Sequence, residues 1–203
     1  MKHLVQKQLA QSIATMQAVL TDETISETLA TVAKLTAKAM ESGHKLLVAG
    51  NGGSAADAQH LVAEFVGRLT VNRPALRAIA LTTDTSILTA AGNDYGFDHL
   101  FSRQLEALGQ PGDIFLAIST SGNSKNLIRA ITQAKIIGIP TIALTGNDGG
   151  HMRPLCDYNI VIPSAVTMNI QESHLALEHI FCMLVERFTF GHDFDKKTQI
   201  LSE

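Results

Sequence analysis

Tryptophan is missing from this 203-residue chain, and all aromatics together make up only 5% of it. So sparse an aromatic content argues against stacking platforms for bases or sugars. Basic residues do not dominate either. Sixteen Lys and Arg stand against nineteen Asp and Glu, a net charge of −3, so no basic field marks a nucleic-acid surface. Cysteine is scarce: Cys156 and Cys182 are too few for a disulfide framework or a thiolate zinc site. No apolar run approaches the roughly 18 to 20 residues of a spanning helix. The opening segment, Met1 to Gln17, lacks the continuous apolar block of a secretory signal. The expectation is a soluble protein of a reducing compartment, most simply cytoplasmic, with neither membrane nor nucleic acid as partner. A charged fraction of 17% beside 45% apolar residues excludes disorder and permits a sizeable core in one domain, or one domain with an extension.

What is present is strongly patterned. Leu9, Ile13, Met16 and Leu20 step by four, three and four, which is helical periodicity. Thr21 and Asp22 interrupt it, Ile25, Leu29, Val32 and Leu35 resume a second stripe, and Gly43 closes that helix. Two helices with no strand between them cannot belong to an alternating sheet unit. They are expected to pack on the main body, on a second subunit, or on both. From Lys45 onward short apolar runs alternate with helical segments. The runs are Lys45 to Ala49, Arg77 to Leu81, Asp113 to Ile118, Pro140 to Leu144 and Tyr158 to Ile162, and a long helix is predicted from about Asn169 to Phe188. That alternation predicts an α/β fold, a parallel sheet covered by helices on both faces. Such sheets bind ligands beyond the C-terminal ends of their strands, so the loops at 50–54, 82–86 and 119–124 converge on one crevice.

Gly50-Asn-Gly-Gly-Ser-Ala55 satisfies a relaxed dinucleotide fingerprint, G-x-G-x-x-A. The acid that would hold a ribose about twenty positions on is missing, and Asp84 lies far beyond that spacing. Backbone amides receiving an anion or a sugar oxygen are the better reading, with a tight glycine turn as the bland one. The segment from Ser119 to Ser124 says more. Ser119, Thr120, Ser121 and Ser124 place four hydroxyls within six residues, directly after an apolar run and at the start of a helix. A helix N-terminus favours an anion, and capping alone needs one hydroxyl rather than four. No Gly-Lys-Ser/Thr element follows, so a phosphate carried by a small molecule fits better than a nucleoside triphosphate.

His60 and Glu64 are four apart and share one helix face. The spacing suits two metal ligands, or a base beside an imidazole. The alternatives are a surface pair, or Glu64 bridged to Arg68 one turn on. On the last helix Gln171, His174 and Glu178 fall on one stripe, with His179 rotated by about 80° from Gln171 at ~100° per residue. Spacing does not choose between His174 with Glu178 and Gln171 with His179. Leu175, Leu177, Phe181, Met183 and Leu184 read as core and Cys182 as a buried thiol. His3, His44, His99, His151 and His192 lack partner spacing and read as surface. Tyr95 and Asp98 read as part of a polar loop able to cover a site, in which Asn93 and Asp94 could bind sugar hydroxyls or merely form a turn.

These segments together resemble the phosphoheptose (sedoheptulose 7-phosphate) isomerases of the sugar isomerase, or SIS, domain group. Gly50-Asn-Gly-Gly-Ser-Ala-Ala-Asp-Ala-Gln-His60 with Glu64 carries the resemblance, as do Leu81-Thr-Thr-Asp-Thr-Ser-Ile-Leu-Thr-Ala90 and Gly92-Asn-Asp-Tyr-Gly-Phe-Asp98. Phe101-Ser-Arg-Gln-Leu-Glu-Ala-Leu-Gly109, Ile118-Ser-Thr-Ser-Gly-Asn-Ser-Lys-Asn126, Ala143-Leu-Thr-Gly-Asn-Asp-Gly-Gly150 and Ile170-Gln-Glu-Ser-His174 continue it in order. The resemblance implies a flavodoxin-like parallel sheet over 43–203, preceded by an N-terminal helical extension, 1–42, that serves oligomerisation. It implies a homotetramer with sites near subunit interfaces and a sugar-phosphate substrate. Asn51, Gly52, Gly53, Ser54, Asn93, Asp94 and Gln171 would contact substrate, and Ser119, Thr120, Ser121 and Ser124 would hold its phosphate. His60, Glu64, Gln171 and His179 would bind zinc, one per subunit, and Glu64 and His179 would be the acid and base. The implied reaction converts sedoheptulose 7-phosphate to D-glycero-D-manno-heptose 7-phosphate by enediolate proton transfer, for bacterial heptose biosynthesis and surface lipopolysaccharide. Before Gln171, Thr167-Met-Asn replaces a Thr followed by a small or acidic residue and Arg, which leaves a sugar-chain contact open while the metal and catalytic positions stand. Two alternatives differ in kind. Adaptors of this fold that bind the replication initiator lack the Glu64 acid and the His179 imidazole, and sugar-phosphate-sensing or amino-sugar isomerase modules lack the His60–Glu64 element.

Overall fold

The five apolar runs become five parallel strands in a computed structural model that describes residues 1–191. His192 and the end of the expected 43–203 span lie outside the described residues. The strands are β1 (Leu46–Gly50), β2 (Ala78–Ala80), β3 (Ile114–Ser119), β4 (Thr141–Gly146) and β5 (Tyr158–Ile162), in the order β2-β1-β3-β4-β5. Every pairing is parallel. β1, β3 and β4 are buried along their whole length, which is why they read as continuous apolar runs without alternation. β2 is shorter than its run because only Ala78 to Ala80 find ladder partners, opposite Leu46 to Val48 at the sheet edge. This is the flavodoxin-like order, and its direction reverses between β1 and β3, where a ligand crevice belongs.

Among the described residues the α-helices are α1 (Lys2–Thr21), α2 (Glu23–Glu41), α3 (Gly53–Val66), α4 (Thr85–Tyr95), α5 (Leu100–Leu108), α6 (Lys125–Ile137) and α7 (Thr167–Phe190). One core lies under α2, α3 and α7, with Val32, Phe65 and Phe181 against Leu116, Ile142 and Ile160 of the sheet. The other lies under α5 and α6, with Phe101, Leu105, Leu127 and Ile131 against Phe115 and Ala143. Among the described residues no helix is long and apolar enough to cross a membrane.

The two leading helices differ. α2, started by an Asp22 carboxylate that accepts from the Ile25 amide at 3.2 Å, buries Ile25, Leu29, Val32, Ala33 and Ala37. It packs on α7 and β5. α1 buries only Thr15 and Val19 and leaves Leu4, Val5, Leu9, Ile13 and Leu20 exposed. It is tied to the start of α7 by Gln8, whose amide donates to the Asn169 side chain at 2.7 Å.

Two expectations are corrected. The polar stretch 92–98 is not a loop through its first half: Asn93, Asp94 and Tyr95 close α4, which Asp84 caps and Gly96, at φ +83°, ends. On α7, Leu177 and Phe181 are core, but Leu175 is exposed and Met183 and Leu184 are half-buried. His174 and Glu178 take the buried stripe instead.

Candidate active site

The site is built where β1 and β3 hand over to helices. After β1 the chain turns through Gly52 at φ +56° and ψ −120°, a conformation open to glycine alone. The turn releases α3, which carries Asp57, His60 and Glu64 along one stripe. Asn51, in the turn, and Asn126, in the first turn of α6, exchange amide hydrogen bonds of 3.0 and 2.8 Å across the point where the sheet order reverses. Asn126 is buried, and the sequence reading did not single it out; a cross-chain pair of this sort leaves no local periodicity.

α3 and α7 lie side by side and advance together, and their facing residues form the centre of the site. The Nε2 atoms of His60 and His179 approach to 2.8 Å with the rings edge-on at 84°. Glu64 Oε1 lies 3.7 Å from His60 Nε2, so Glu64 turns to the imidazole rather than taking the alternative partner Arg68. His60, Glu64 and His179 offer ligand atoms all within 4.8 Å of one another. Two ring nitrogens this close cannot both present lone pairs. Either one donates a proton to the other, or a cation lies between them. Two imidazoles and a carboxylate are a donor set that suits zinc.

Gln171 and His179 face α3, while His174 and Glu178 face the sheet. His174 Nε2 donates to the Thr145 carbonyl at 3.0 Å, and burial lowers its pKa to about 4, against that bond. Among the described residues Glu178 finds no hydrogen-bond partner for either oxygen, and it sits at the wall of a small apolar cavity of about 20 Å³ beside Leu29, Leu116 and Phe181. Burial, and next the charge of Asp57, raise its pKa to about 8. Gln171 does not point at the histidines. Its amide donates to both oxygens of Asp57, at 3.0 and 3.2 Å, and its tip rests on Gly53, where any side chain would displace it. Asp57 is a further residue the sequence reading passed over, although it lies three positions before His60 on the same stripe. Burial raises its pKa, opposed by the Gln171 bond and by His60.

The hydroxyl loop after β3 is open for a ligand. Ser124 stands at the N-cap of α6 but makes no capping bond. Its Oγ instead meets Ser119 Oγ at 3.1 Å, and Ser121 Oγ lies 3.5 Å from Ser119. Gly122, at φ +63°, lets the loop lie against the Gly149 carbonyl, a contact no β-carbon would permit. Thr120, Ser121 and Asn123 line a pocket of about 200 Å³ with Asn147 and Thr167. Ser54 is buried in the first turn of α3. Asn93 and Asp94 are exposed on α4, the Asn93 amide donating to Asp94 at 2.8 Å. Asn169, at the departure from the family wording, is buried and bonded to Gln8 of α1, so this side chain serves helix packing.

The profile described as SIS domain matches residues 9–146. The phosphoheptose isomerase of Aneurinibacillus thermoaerophilus is 51% identical over 194 residues, 96% of this chain and 98% of that protein. Among solved structures, a phosphoheptose isomerase from Neisseria gonorrhoeae superposes with a TM-score of 0.86 at 43% identity, over 91% of this chain and 98% of that one. One from Francisella tularensis gives 0.88 at 35% identity, over 91% and 97%.

Proposed function

The chain belongs to the phosphoheptose isomerases of the SIS domain family, and we propose that it interconverts sedoheptulose 7-phosphate and D-glycero-D-manno-heptose 7-phosphate for bacterial heptose biosynthesis. The observation that carries this reading is the meeting of Glu64 and His60 with His179 on facing helices. An aldose–ketose interconversion needs a proton removed beside a carbonyl and returned to the former carbonyl carbon, while the neighbouring hydroxyl oxygen loses a proton and the former carbonyl oxygen gains one. A carboxylate and an imidazole held together supply both transfers.

Ser119, Thr120, Ser121 and Ser124, with the N-terminal end of α6, hold the phosphate through neutral donors and the helix dipole. The backbone of Asn51, Gly52 and Gly53, with Ser54, receives the sugar oxygens near the carbonyl end, and Gln171 closes that side. Glu64 takes the carbon-bound proton, which exchanges with solvent on the carboxyl group, and delivers a proton to the adjacent carbon, and His179 serves the oxygens. His60, Glu64 and His179 would hold a zinc ion, which when bound supplies positive charge to polarise the carbonyl and steady the enediolate, whereas Gln171, the fourth ligand the resemblance implies, is turned to Asp57. Asn93 and Asp94 face outward, which fits a site finished by a neighbouring subunit, and the exposed apolar residues of α1 fit a homotetramer. We place the enzyme in the cytoplasm. The adaptor alternative rested on absence of the acid and the imidazole; both are present and brought together.

Incubation with sedoheptulose 7-phosphate, with and without added zinc, tests this reading. Aldoheptose should form; no turnover under either condition would overturn it.

A further inference from the structure

Glu64 lies in the last turn of α3, where helix carbonyls have no intrahelical partner and the end is prone to fray. A catalytic carboxylate is poorly placed there unless its backbone is held from outside. Arg73, beyond the helix, does this. Its Nη2 donates to the carbonyl oxygen of Glu64 itself at 2.7 Å, and its Nη1 donates to that of Phe65 at 2.8 Å. A cation at a helix C-terminus also complements the dipole. The same guanidinium donates through Nε to Glu186 of α7 at 2.8 Å, and both side chains are buried. Glu186 is seven residues past His179, two turns along the same helix face. Its carboxylate also accepts from the Leu69 and Thr70 amides, at 3.1 and 3.2 Å, and from the Thr70 hydroxyl at 2.5 Å.

We infer that Arg73, through Glu186, is a positioning residue for the isomerisation, fixing the peptide of Glu64 to the helix that carries His179. The inference rests on the isomerase reading of the site. Two ties thus bracket the reacting groups along the α3–α7 seam: Asp57 with Gln171 at one end, and Glu64 with Arg73 and Glu186 at the other. A buried ion pair is weak evidence of stabilisation, because apolar replacements of such pairs are often neutral. A rigid fork that reaches three acceptors on two helices instead sets register, which lysine cannot reproduce. Displacing a catalytic group by about 1 Å costs on the order of a hundredfold in rate. The phosphate loop belongs to β3 and α6, outside this clamp, so substrate binding should feel little.

The test measures kcat, KM and Tm for the unaltered chain, Arg73→Lys, Glu186→Gln and Val32→Ala. Val32 is a buried α2 residue serving as a control for plain destabilisation. At a temperature where all are folded, Arg73→Lys and Glu186→Gln should lower kcat by about tenfold or more, with KM within about twofold. Val32→Ala, with a comparable loss of Tm, should leave kcat unchanged. An undiminished kcat in Arg73→Lys would overturn the role, as would an equal loss of kcat in Val32→Ala. Absence of turnover by the unaltered chain would instead overturn the reading of the site, and the role with it.

Discussion

Ser124 stands where a helix cap belongs yet makes no cap bond, and that single residue separates two accounts of the hydroxyl loop. If the loop exists to hold phosphate, Ser124→Ala removes a ligand donor and should raise KM about tenfold, some ~1.4 kcal/mol, with kcat and Tm nearly unchanged. A Tm loss of several degrees with KM intact would restore the capping account, in which a lost cap costs about 1 kcal/mol. The same scale shows which residues the sequence exposes. His60 with Glu64 and the serine cluster were legible because their chemistry repeats within a turn or a loop. Asp57, Asn126, Arg73 and Glu186 were not. Each acquires its meaning from a partner far along the chain, and nothing in local spacing announces an amide pair or a guanidinium on a distant carbonyl.

At the scale of the element, α7 is two helices in one. Its face toward α3 presents Gln171 and His179 to the site, and its face toward the sheet buries His174 and Glu178. Those two buried groups give the fold a definite pH response. His174 titrates near 4 when folded against 6.5 as its ordinary value, and so opposes folding increasingly as pH falls below 6.5. Glu178 titrates near 8 against 4.5, so the folded state holds a proton that the unfolded state has released, and stability falls as pH rises through that interval. Between 4.5 and 6.5 the two slopes cancel. Between 6.5 and 8 only Glu178 acts, and stability should fall by about 1.4 kcal/mol per pH unit, roughly 2 kcal/mol in all. Urea unfolding of Glu178→Leu at pH 6.5 and pH 8 should show that decline abolished; a decline equal to that of the unaltered chain would refute the assignment. Spacing could not foresee which pair on α7 faced inward, since two stripes about 80° apart both satisfy helical periodicity. Tertiary packing decided it. Likewise the helix α4 runs through Asn93 and Asp94 because Asp84 caps its start and Gly96 ends it, where polarity alone suggested a loop.

At the scale of the molecule, the parallel sheet and its two-sided covering were legible from continuous apolar runs separated by helices, whereas the flavodoxin-like strand order followed only from the family resemblance. The leading helices were only half legible. Their periodicity is alike, yet α2 belongs to the core and α1 presents Leu4, Val5, Leu9 and Ile13 outward. A row of this kind calls for burial against another chain. Sedimentation of the unaltered chain should give a tetramer, and Ile13→Glu should shift it to smaller species and lower turnover; a monomer of full activity would refute the assembly. The central claim concerns Glu64 as the base of an enediolate isomerisation. Its most direct measurement is turnover of sedoheptulose 7-phosphate in deuterated water by the unaltered chain and by Glu64→Gln. The account predicts aldoheptose carrying deuterium at the carbon beside the carbonyl, and a loss of both product formation and deuterium uptake of about a hundredfold or more in the variant. Product and deuterium appearing undiminished with Glu64→Gln would contradict it.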